Sequence, residues 1–202
     1  MCSLTAPAPL VQGGAAEVAR AIAAVLARFG GGALRFAAER GVKIVPLADG
    51  QRYREASPAL RRLGVDVDRW PAPPAGLFVV EERSVYLRVP SPMTIAHEFG
   101  HALDCALGGG VYRSGYDHRI RAAYAAARDF VTPYAASGLD EYFAESMRAF
   151  VEVNDATSPW PRVSRAGLRR FDPRMAAAIE EIFARDFLDE VPSALAYRSP
   201  AK

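Results

Sequence analysis

Two histidines and a glutamate lie within five residues of one another, in His97-Glu98-Phe99-Gly100-His101. Four residues along an α-helix advance by about 400° and about 6 Å, so both imidazoles leave the same face of a helix. They can bind one metal ion at about 2.0–2.1 Å each, and the H-E-x-x-H spacing is typical of zinc sites. Glu98 lies beside that face, where it can accept a proton from a water molecule that the metal activates. The chain has only three histidines, and two of them are in this motif.

A catalytic zinc site needs a third protein ligand and leaves a position for water. The longer motif H-E-x-x-H-x-x-G-x-x-H requires glycine at position 104 and histidine at position 107, but the chain has Asp104 and Leu107 there. Cys105 lies one turn beyond His101 on the same helix, too far along the axis to share the metal, and Cys2 lies near the N-terminus. The third ligand is therefore expected to be a carboxylate from a later helix.

The segment Glu141-Tyr142-Phe143-Ala144-Glu145 offers two such carboxylates, four residues apart on one helix face. One of them can bind the metal, and the other, one turn away, can orient a ligand histidine. Spacing alone does not decide which glutamate is the ligand. With Arg148 and Glu152 the two also form a charged stripe of a kind that usually faces solvent. Tyr134, after Pro133, has a phenol that can donate a hydrogen bond to an oxyanion.

Together these segments resemble a known family. The H-E-x-x-H motif, Thr132-Pro133-Tyr134 and the 141–145 segment are similar to the anthrax lethal factor catalytic domain and the related Pro-Pro endopeptidases. The resemblance covers roughly residues 75–190. It implies that His97, His101 and Glu141 bind Zn²⁺, that Glu98 is the general base, and that Tyr134 assists the transition state. Glu145 is expected to support a ligand histidine, and it is the substitute ligand if Glu141 is not the third.

The elements that must position these residues follow from periodicity, caps and breakers. Helices are predicted over 15–29, ended by glycines 30–32, and over 33–40, and a short helix from Ser57-Pro58 to about Gly64. A strand is predicted over 42–47, and strands over 77–80 and 85–89 form a hairpin. The metal-motif helix begins at Ser91-Pro92 and ends at glycines 108–110. Further helices are predicted over 119–131, from a Ser137/Asp140 capping box to about 153, and from Asp172-Pro173 to about 188.

Composition limits the partners, the cellular compartment and the number of domains that we expect. The chain has 202 residues, half of them apolar, and a net charge of +2, so nothing favours a nucleic-acid or membrane partner. Two cysteines do not form a disulfide framework. We find no signal peptide and no apolar stretch long enough to span a bilayer, so a cytoplasmic protein is the default, or one exported by a non-classical route. Residues 1–14 and 191–202 are expected to be tails around a single domain over 15–190.

We therefore expect an α+β, zincin-like metallopeptidase domain with a small sheet beside the active-site helix and a mostly helical C-terminal half. The predicted function is a zinc-dependent endopeptidase acting on a peptide or protein substrate, and one hairpin strand is expected to pair with that substrate. The alternative is a catalytically inactive, zinc-stabilised module that binds a peptide or partner. Asp104 is expected to be structural, Cys105 to be a small buried hydrophobe, and His118 to lie on the surface.

Overall fold

The computed structural model describes residues 10–160 and 162–187. The expected C-terminal tail, 191–202, and residues 1–9 of the expected N-terminal tail lie outside the described residues. Helices and short strands alternate in the first half, and helices make up the second half. The elements are α1 (Ala16–Leu26), α2 (Gly30–Glu39), β1 (Lys43–Pro46), α3 (Tyr53–Ala56), α4 (Pro58–Leu63), β2 (Gly76–Val79), β3 (Ser84–Leu87), α5 (Pro92–Leu107), α6 (His118–Ala126), α7 (Leu139–Phe150), α8 (Arg165–Phe171) and α9 (Pro173–Arg185). The predicted α+β class is confirmed.

The first two helices form one bent helical segment. α1 continues through a 3-10 turn, Ala27–Phe29, into α2, and Gly30 at the junction has a φ of +85°. Because glycine adopts this left-handed φ without a steric cost, the chain bends and then continues as a helix. The predicted break after Phe29 is therefore confirmed, but glycines 30–32 form the first turn of α2 instead of a link between the two helices.

This bent segment is also long and apolar. The stretch Ala16–Glu39 has 24 residues and a mean hydropathy of 1.4 in its most apolar window, enough by length and composition to cross a membrane. The prediction that no stretch reaches that length is therefore wrong. Ile22, Leu26 and Phe29 are nevertheless fully or almost fully buried in the main core, and the Phe29 ring packs edge-on against Phe99 of α5 at 4.9 Å between centroids. In this fold the apolar face thus supports the motif helix.

The sheet has three strands in the order β1-β3-β2. β3 pairs in parallel with β1 and antiparallel with β2, which confirms the predicted hairpin. The other edge of β1 is covered, because Ile44 donates a hydrogen bond to the Leu10 carbonyl at 2.9 Å and accepts one from the Gln12 amide at 2.8 Å. Pairing therefore reaches into the range expected to be a tail. Among the described residues, β2 pairs only with β3, so its second edge is free.

Helix α5 carries the motif and is buried on almost every side. It begins as predicted, with the Ser91 hydroxyl accepting the Thr94 amide hydrogen bond at 3.2 Å and Pro92 in the first turn. All residues from 94 to 105 are buried. A helix that is buried all round belongs to the centre of a fold, which explains its mostly apolar sequence and predicts that its polar residues have partners.

The C-terminal half departs from the predicted elements in three places. α6 ends at Ala126 rather than at 131, and irregular chain then leads to α7. The capping box predicted for α7 is wrong, because the cap is Gly138 and the Ser137 hydroxyl donates instead to the Tyr134 carbonyl at 2.7 Å. Helix α8 was not predicted. α9 begins as predicted, since Asp172 accepts the amide hydrogen bond of the third helical residue at 2.9 Å.

Candidate metal centre

Helices α5 and α7 touch backbone to backbone at the motif. A β-carbon placed on Gly100 would lie 2.9 Å from the Ala144 Cα and 3.2 Å from its Cβ and carbonyl oxygen. Real β-carbons essentially never approach a heavy atom within 3.0 Å. Small residues on both helices let the two axes come close, and Glu141, one turn before Ala144, is thereby brought to the face of α5 that carries the histidines.

Three ligand-type atoms meet at this crossing. The Nε2 atoms of His97 and His101 lie 3.1 Å apart, and the Glu141 Oε2 lies 3.1 Å from the first and 3.3 Å from the second. With metal–ligand distances of about 2.0–2.1 Å, neighbouring ligands of a tetrahedral zinc ion are about 3.3 Å apart. The described residues include no other group of three such side chains. The spacing therefore fits a single metal ion among these three atoms.

The hydrogen bonds around His97, His101 and Glu141, the trio of candidate ligands, also suit a metal. His97 Nδ1 faces a carboxylate oxygen of Glu145 at 2.8 Å, so Nδ1 is the donor and the Nε2 lone pair is left for a ligand. Glu141 Oε2 is buried and, despite its short distances to both imidazoles, makes no hydrogen bond of acceptable geometry. Buried carboxylate oxygens normally have a partner, and a cation would supply one here. The donor set of two imidazoles and one carboxylate fits zinc.

Glu145 connects His97 to a buried polar network. Its two carboxylate oxygens accept hydrogen bonds from the Arg148 guanidinium at 3.1 and 2.7 Å and from the Thr132 hydroxyl at 2.6 Å. Arg148 is 1% exposed and also donates to Asn154 at 2.9 Å. Although burial acts in the opposite direction, the bonds with His97 and Arg148 lower the pKa of Glu145 to about 2. The carboxylate thus stays ionised and fixes the ring of His97.

The network decides between the two interpretations of the charged stripe for Glu145 and Arg148. A charged stripe such as that of α7 usually faces solvent. Glu145, however, is only 3% exposed, and Arg148 is the largest fully buried side chain described. Glu141 and Glu145 face inward because they meet the histidines of α5, whereas Glu152, beyond the end of α7, is exposed. A buried and paired Glu–Arg–Thr cluster orients a neighbouring group better than solvated side chains would.

The side chain of Glu98 extends from α5 to the start of β2. A β-carbon on Gly76 would lie 2.5 Å from the Glu98 Cγ and 2.7 Å from a methyl carbon of Thr94, so only glycine lets the strand approach the carboxylate this closely. Glu98 is buried, and this burial raises the pKa of its carboxyl group, although the two histidines and the Phe78 backbone oppose the shift. A raised pKa brings a carboxylate nearer to the range in which it both accepts and releases a proton at neutral pH.

Tyr134 closes the solvent side of the trio. Its hydroxyl donates a hydrogen bond to Glu141 Oε1 at 2.9 Å, and its ring lies 5.5 Å from that of His97. The side chain is 55% exposed, unlike the other site residues. Partial burial and the negative charge of Glu141 raise the pKa of the phenol, so it remains protonated at neutral pH. It can therefore donate a hydrogen bond to an oxygen near the metal position.

A cleft of about 320 Å³ opens onto these residues. Its walls are the chain before β2 with Gly76, the first two turns of α5, and Thr132, Tyr134 and Trp160 on the opposite side. The free edge of β2 lies beside this cleft. Clefts of this size bind small molecules or short peptide segments.

Other residues singled out in the sequence lie away from the three ligand-type atoms. Asp104 is fully buried and accepts hydrogen bonds from the Ser114 amide at 2.9 Å and the Ser114 hydroxyl at 2.6 Å, in keeping with the expected structural role. Cys105 is 1% exposed and packs in the core, as expected. His118 is exposed at the start of α6, also as expected.

The fold is similar to that of a solved peptidase. A structural match joins this chain to the Pro-Pro endopeptidase PPEP-2 from Paenibacillus alvei, with a TM-score of 0.61 and 21% sequence identity, over 86% of this chain and 97% of that one. The chain has a Pro-Pro-endopeptidase-like fold. No family model and no curated protein matches the sequence.

Sequence reasoning missed several residues that shape the site. Gly76 and Gly100 are needed for close approach, and Arg148 and Thr132 hold Glu145. Gly100 inside the motif and Ala144 between the two glutamates carried a signal, because small residues on two helices predict a close crossing. Trp160 lies in a region for which no element was predicted, and nothing near it pointed to the cleft.

Proposed function

We propose that the protein is a zinc-dependent endopeptidase in which His97, His101 and Glu141 hold the metal. The observation that carries the proposal is the trio of ligand atoms 3.1–3.3 Å apart with a buried carboxylate, Glu98, directly beside it. A zinc ion bound there would polarise a scissile carbonyl and acidify water. The likeness to an endopeptidase fold is consistent with this chemistry.

The chain's own residues divide the remaining work. Glu98 accepts a proton from the attacking water and passes it to the departing amine nitrogen, a role that its burial beside Gly76 favours. Tyr134 donates a hydrogen bond to the carbonyl oxygen as negative charge develops on it. Glu145, held by Arg148 and Thr132, keeps His97 in one orientation and one tautomer. The free edge of β2 offers backbone groups with which an extended peptide can pair antiparallel.

Two substitutions test the division of roles. Glu98→Gln should retain one zinc per chain and reduce the turnover of a cleaved peptide by at least about 10²-fold, the lower range of general-base contributions. Glu141→Ala should lose zinc, because two imidazoles alone hold it weakly. Zinc is measured by mass spectrometry of the metal, and cleavage with an unbiased peptide library with and without a chelator. Glu81→Gln, an exposed glutamate outside the cleft, is the matched control.

The outcomes separate the alternatives. A Glu141→Ala protein with full zinc content would refute the ligand assignment. Stoichiometric zinc in the wild type without cleavage of any library peptide would favour the zinc-stabilised binding module instead. Cleavage that survives both Glu98→Gln and the chelator would exclude a metal-dependent mechanism.

A further inference from the structure

A second cavity adjoins the cleft. It encloses about 460 Å³ and is bordered by residues 128–133 on one side and by Pro159, Trp160 and Arg162 on the other. Thr132 and Trp160 line both this cavity and the cleft, so the two are continuous along the surface. We call the second cavity the Arg128 groove. Both volumes fall in the range of about 300–1,000 Å³ that is typical of ligand sites.

The Arg128 groove has an excess of positive charge. Arg162 forms an ion pair with Asp129 at 3.3 Å and lies over the Phe171 ring. Arg128 is exposed, and among the described residues it has no ion-pair or hydrogen-bond partner. The groove therefore has two guanidinium groups and one carboxylate, and its unpaired charge is that of Arg128.

The metal centre has no such excess of charge once zinc is bound. Three glutamates, Glu98, Glu141 and Glu145, surround the two histidines, and only Glu145 is neutralised by an arginine. A bound zinc ion and Arg148 would balance the charges of the three carboxylates, so the unpaired charge beside the cleft is that of Arg128, and it attracts an acidic substrate side chain to the groove. The position of Arg128 in the groove can therefore select where along a peptide an acidic residue falls.

Trp160 gives the groove an apolar wall, and two hydrogen bonds hold its backbone. Its amide donates to the Ser158 hydroxyl at 3.3 Å, and its carbonyl accepts a hydrogen bond from Asn154 at 3.3 Å. Asn154 is in turn bonded to the buried Arg148, which holds Glu145. The indole is 39% exposed, so part of its surface is available to cover the aliphatic stem of a bound side chain.

From this we propose that the Arg128 groove is a substrate subsite that binds an acidic side chain, Asp or Glu, a few residues from the scissile bond. The inference rests on the proposed function, since the groove adjoins the cleft in which cleavage would occur. Arg128 supplies the charge, and Trp160 and the two flanking prolines, Pro133 and Pro159, supply apolar contact. An arginine fork suits a carboxylate because it can donate two parallel hydrogen bonds.

The test compares glutamate with glutamine. Peptide libraries randomised at all other positions carry Glu or Gln at one position at a time, and two quantities are measured. One is kcat/KM of the wild type, and the other is binding to zinc-loaded Glu98→Gln by fluorescence anisotropy. We expect Glu to be preferred at one position by about 2- to 5-fold, the range that an exposed ion pair provides. The preference should shrink between about 0.05 M and about 0.5 M salt, because the pair is open to solvent.

Charge reversal assigns the preference to one residue. Arg128→Glu should reverse it, whereas the matched control Arg121→Glu, an exposed arginine of α6 that does not border the groove, should leave it intact. Cleavage without a Glu-over-Gln preference at any position would overturn the subsite and leave the peptidase proposal standing. Glutamate-selective binding without cleavage would overturn the peptidase proposal and leave the subsite standing. Absence of both cleavage and selective binding would overturn both proposals, and a preference unchanged in Arg128→Glu would overturn the assignment to the groove.

Discussion

The contact between Gly100 and Ala144 makes a quantitative prediction. In Gly100→Ala, the new β-carbon would lie 2.9 Å from the Ala144 Cα, whereas ordinary van der Waals contacts begin at 3.4 Å. The obstacle is backbone, which no side-chain rotation can relieve. Helices α5 and α7 must therefore separate by at least about 0.5 Å at this point. Glu141 precedes Ala144 by one helical turn, so its carboxylate moves away from the histidines with the helix.

That displacement exceeds what a metal site tolerates. Ligand distances in zinc sites are held within about 0.2 Å, and disturbing the groups that orient ligands typically costs about 10- to 100-fold in metal affinity. We expect zinc affinity to fall by about 10- to 100-fold. The free energy of unfolding of the metal-free protein should change less. Alanine gains about 1 kcal/mol in helix propensity, and overpacking costs about 1–3 kcal/mol, so the net loss is about 0–2 kcal/mol.

Zinc affinity is measured by competition with a chromophoric chelator, and stability by urea unfolding of the metal-free protein. Gly115→Ala is the matched control, because a β-carbon there meets nothing within 4 Å. Adding Ala144→Gly to Gly100→Ala removes the 3.2 Å contact between β-carbons but not the 2.9 Å contact with the Ala144 Cα. The double variant should therefore recover only part of the affinity. A Gly100→Ala protein that binds zinc as tightly as the wild type would refute the claim that this crossing positions Glu141.

Three further predictions concern the surroundings of the site. Gly76→Ala should keep zinc but reduce kcat, because the new methyl displaces Glu98, whose Cγ lies 2.5 Å from that position; undiminished turnover would show that the carboxylate is not confined there. Arg148→Met should lower the free energy of unfolding by about 3–5 kcal/mol, because it leaves the buried charge of Glu145 without its guanidinium partner. Urea unfolding measures this loss, and the difference between Arg148→Met and Arg148→Lys, which keeps the positive charge, gives the part that is due to charge. Burial raises the pKa of Asp104 to about 6, so between about pH 4 and about pH 6 this carboxyl group binds more protons in the folded than in the unfolded state, and its contribution to the stability of the metal-free protein falls as pH rises. Asp104→Asn should remove that contribution, so the stability of the variant relative to the wild type should increase with pH over this range, and parallel slopes in the two proteins would exclude Asp104 as the group responsible.

Much of the fold could be predicted because its signals are local. Ser91-Pro92 and Asp172-Pro173 provide a capping side chain and a preset φ within two residues, and both helices begin there. The hairpin follows from two short apolar runs around a charged turn. Ser57-Pro58 does the same for α4. Helix α8 also has a serine cap, Ser164, but no proline follows it, and its arginine-rich sequence has no apolar periodicity to mark it.

The features that depend on tertiary contact could not be predicted. The burial of Arg148 depends on Glu145 and Asn154 reaching it from two sides, and nothing in a charged stripe distinguishes that from a solvated face. Helix α6 ends at Ala126 although residues up to 131 have helical propensity, and the chain after it brings Thr132 to a hydrogen bond with Glu145 that no local pattern announces. The parallel pairing of β1 with β3 joins segments 41 residues apart in register, as in Lys43 with Ser84, and short strands do not encode such pairing locally.

The free edge of β2 has a cost for the protein in solution. Unpaired strand edges can pair with any extended chain, including a second copy of the same protein, and so promote aggregation. The sheet covers its other edge with Leu10 and Gln12, but the edge beside the cleft is left open. Its four residues span only about 13 Å, and Pro73 and Pro74, just before the strand, lack the amide donors that would lengthen it. Its shortness therefore limits self-association, and it equally limits how many residues of a bound peptide the backbone alone can hold in register.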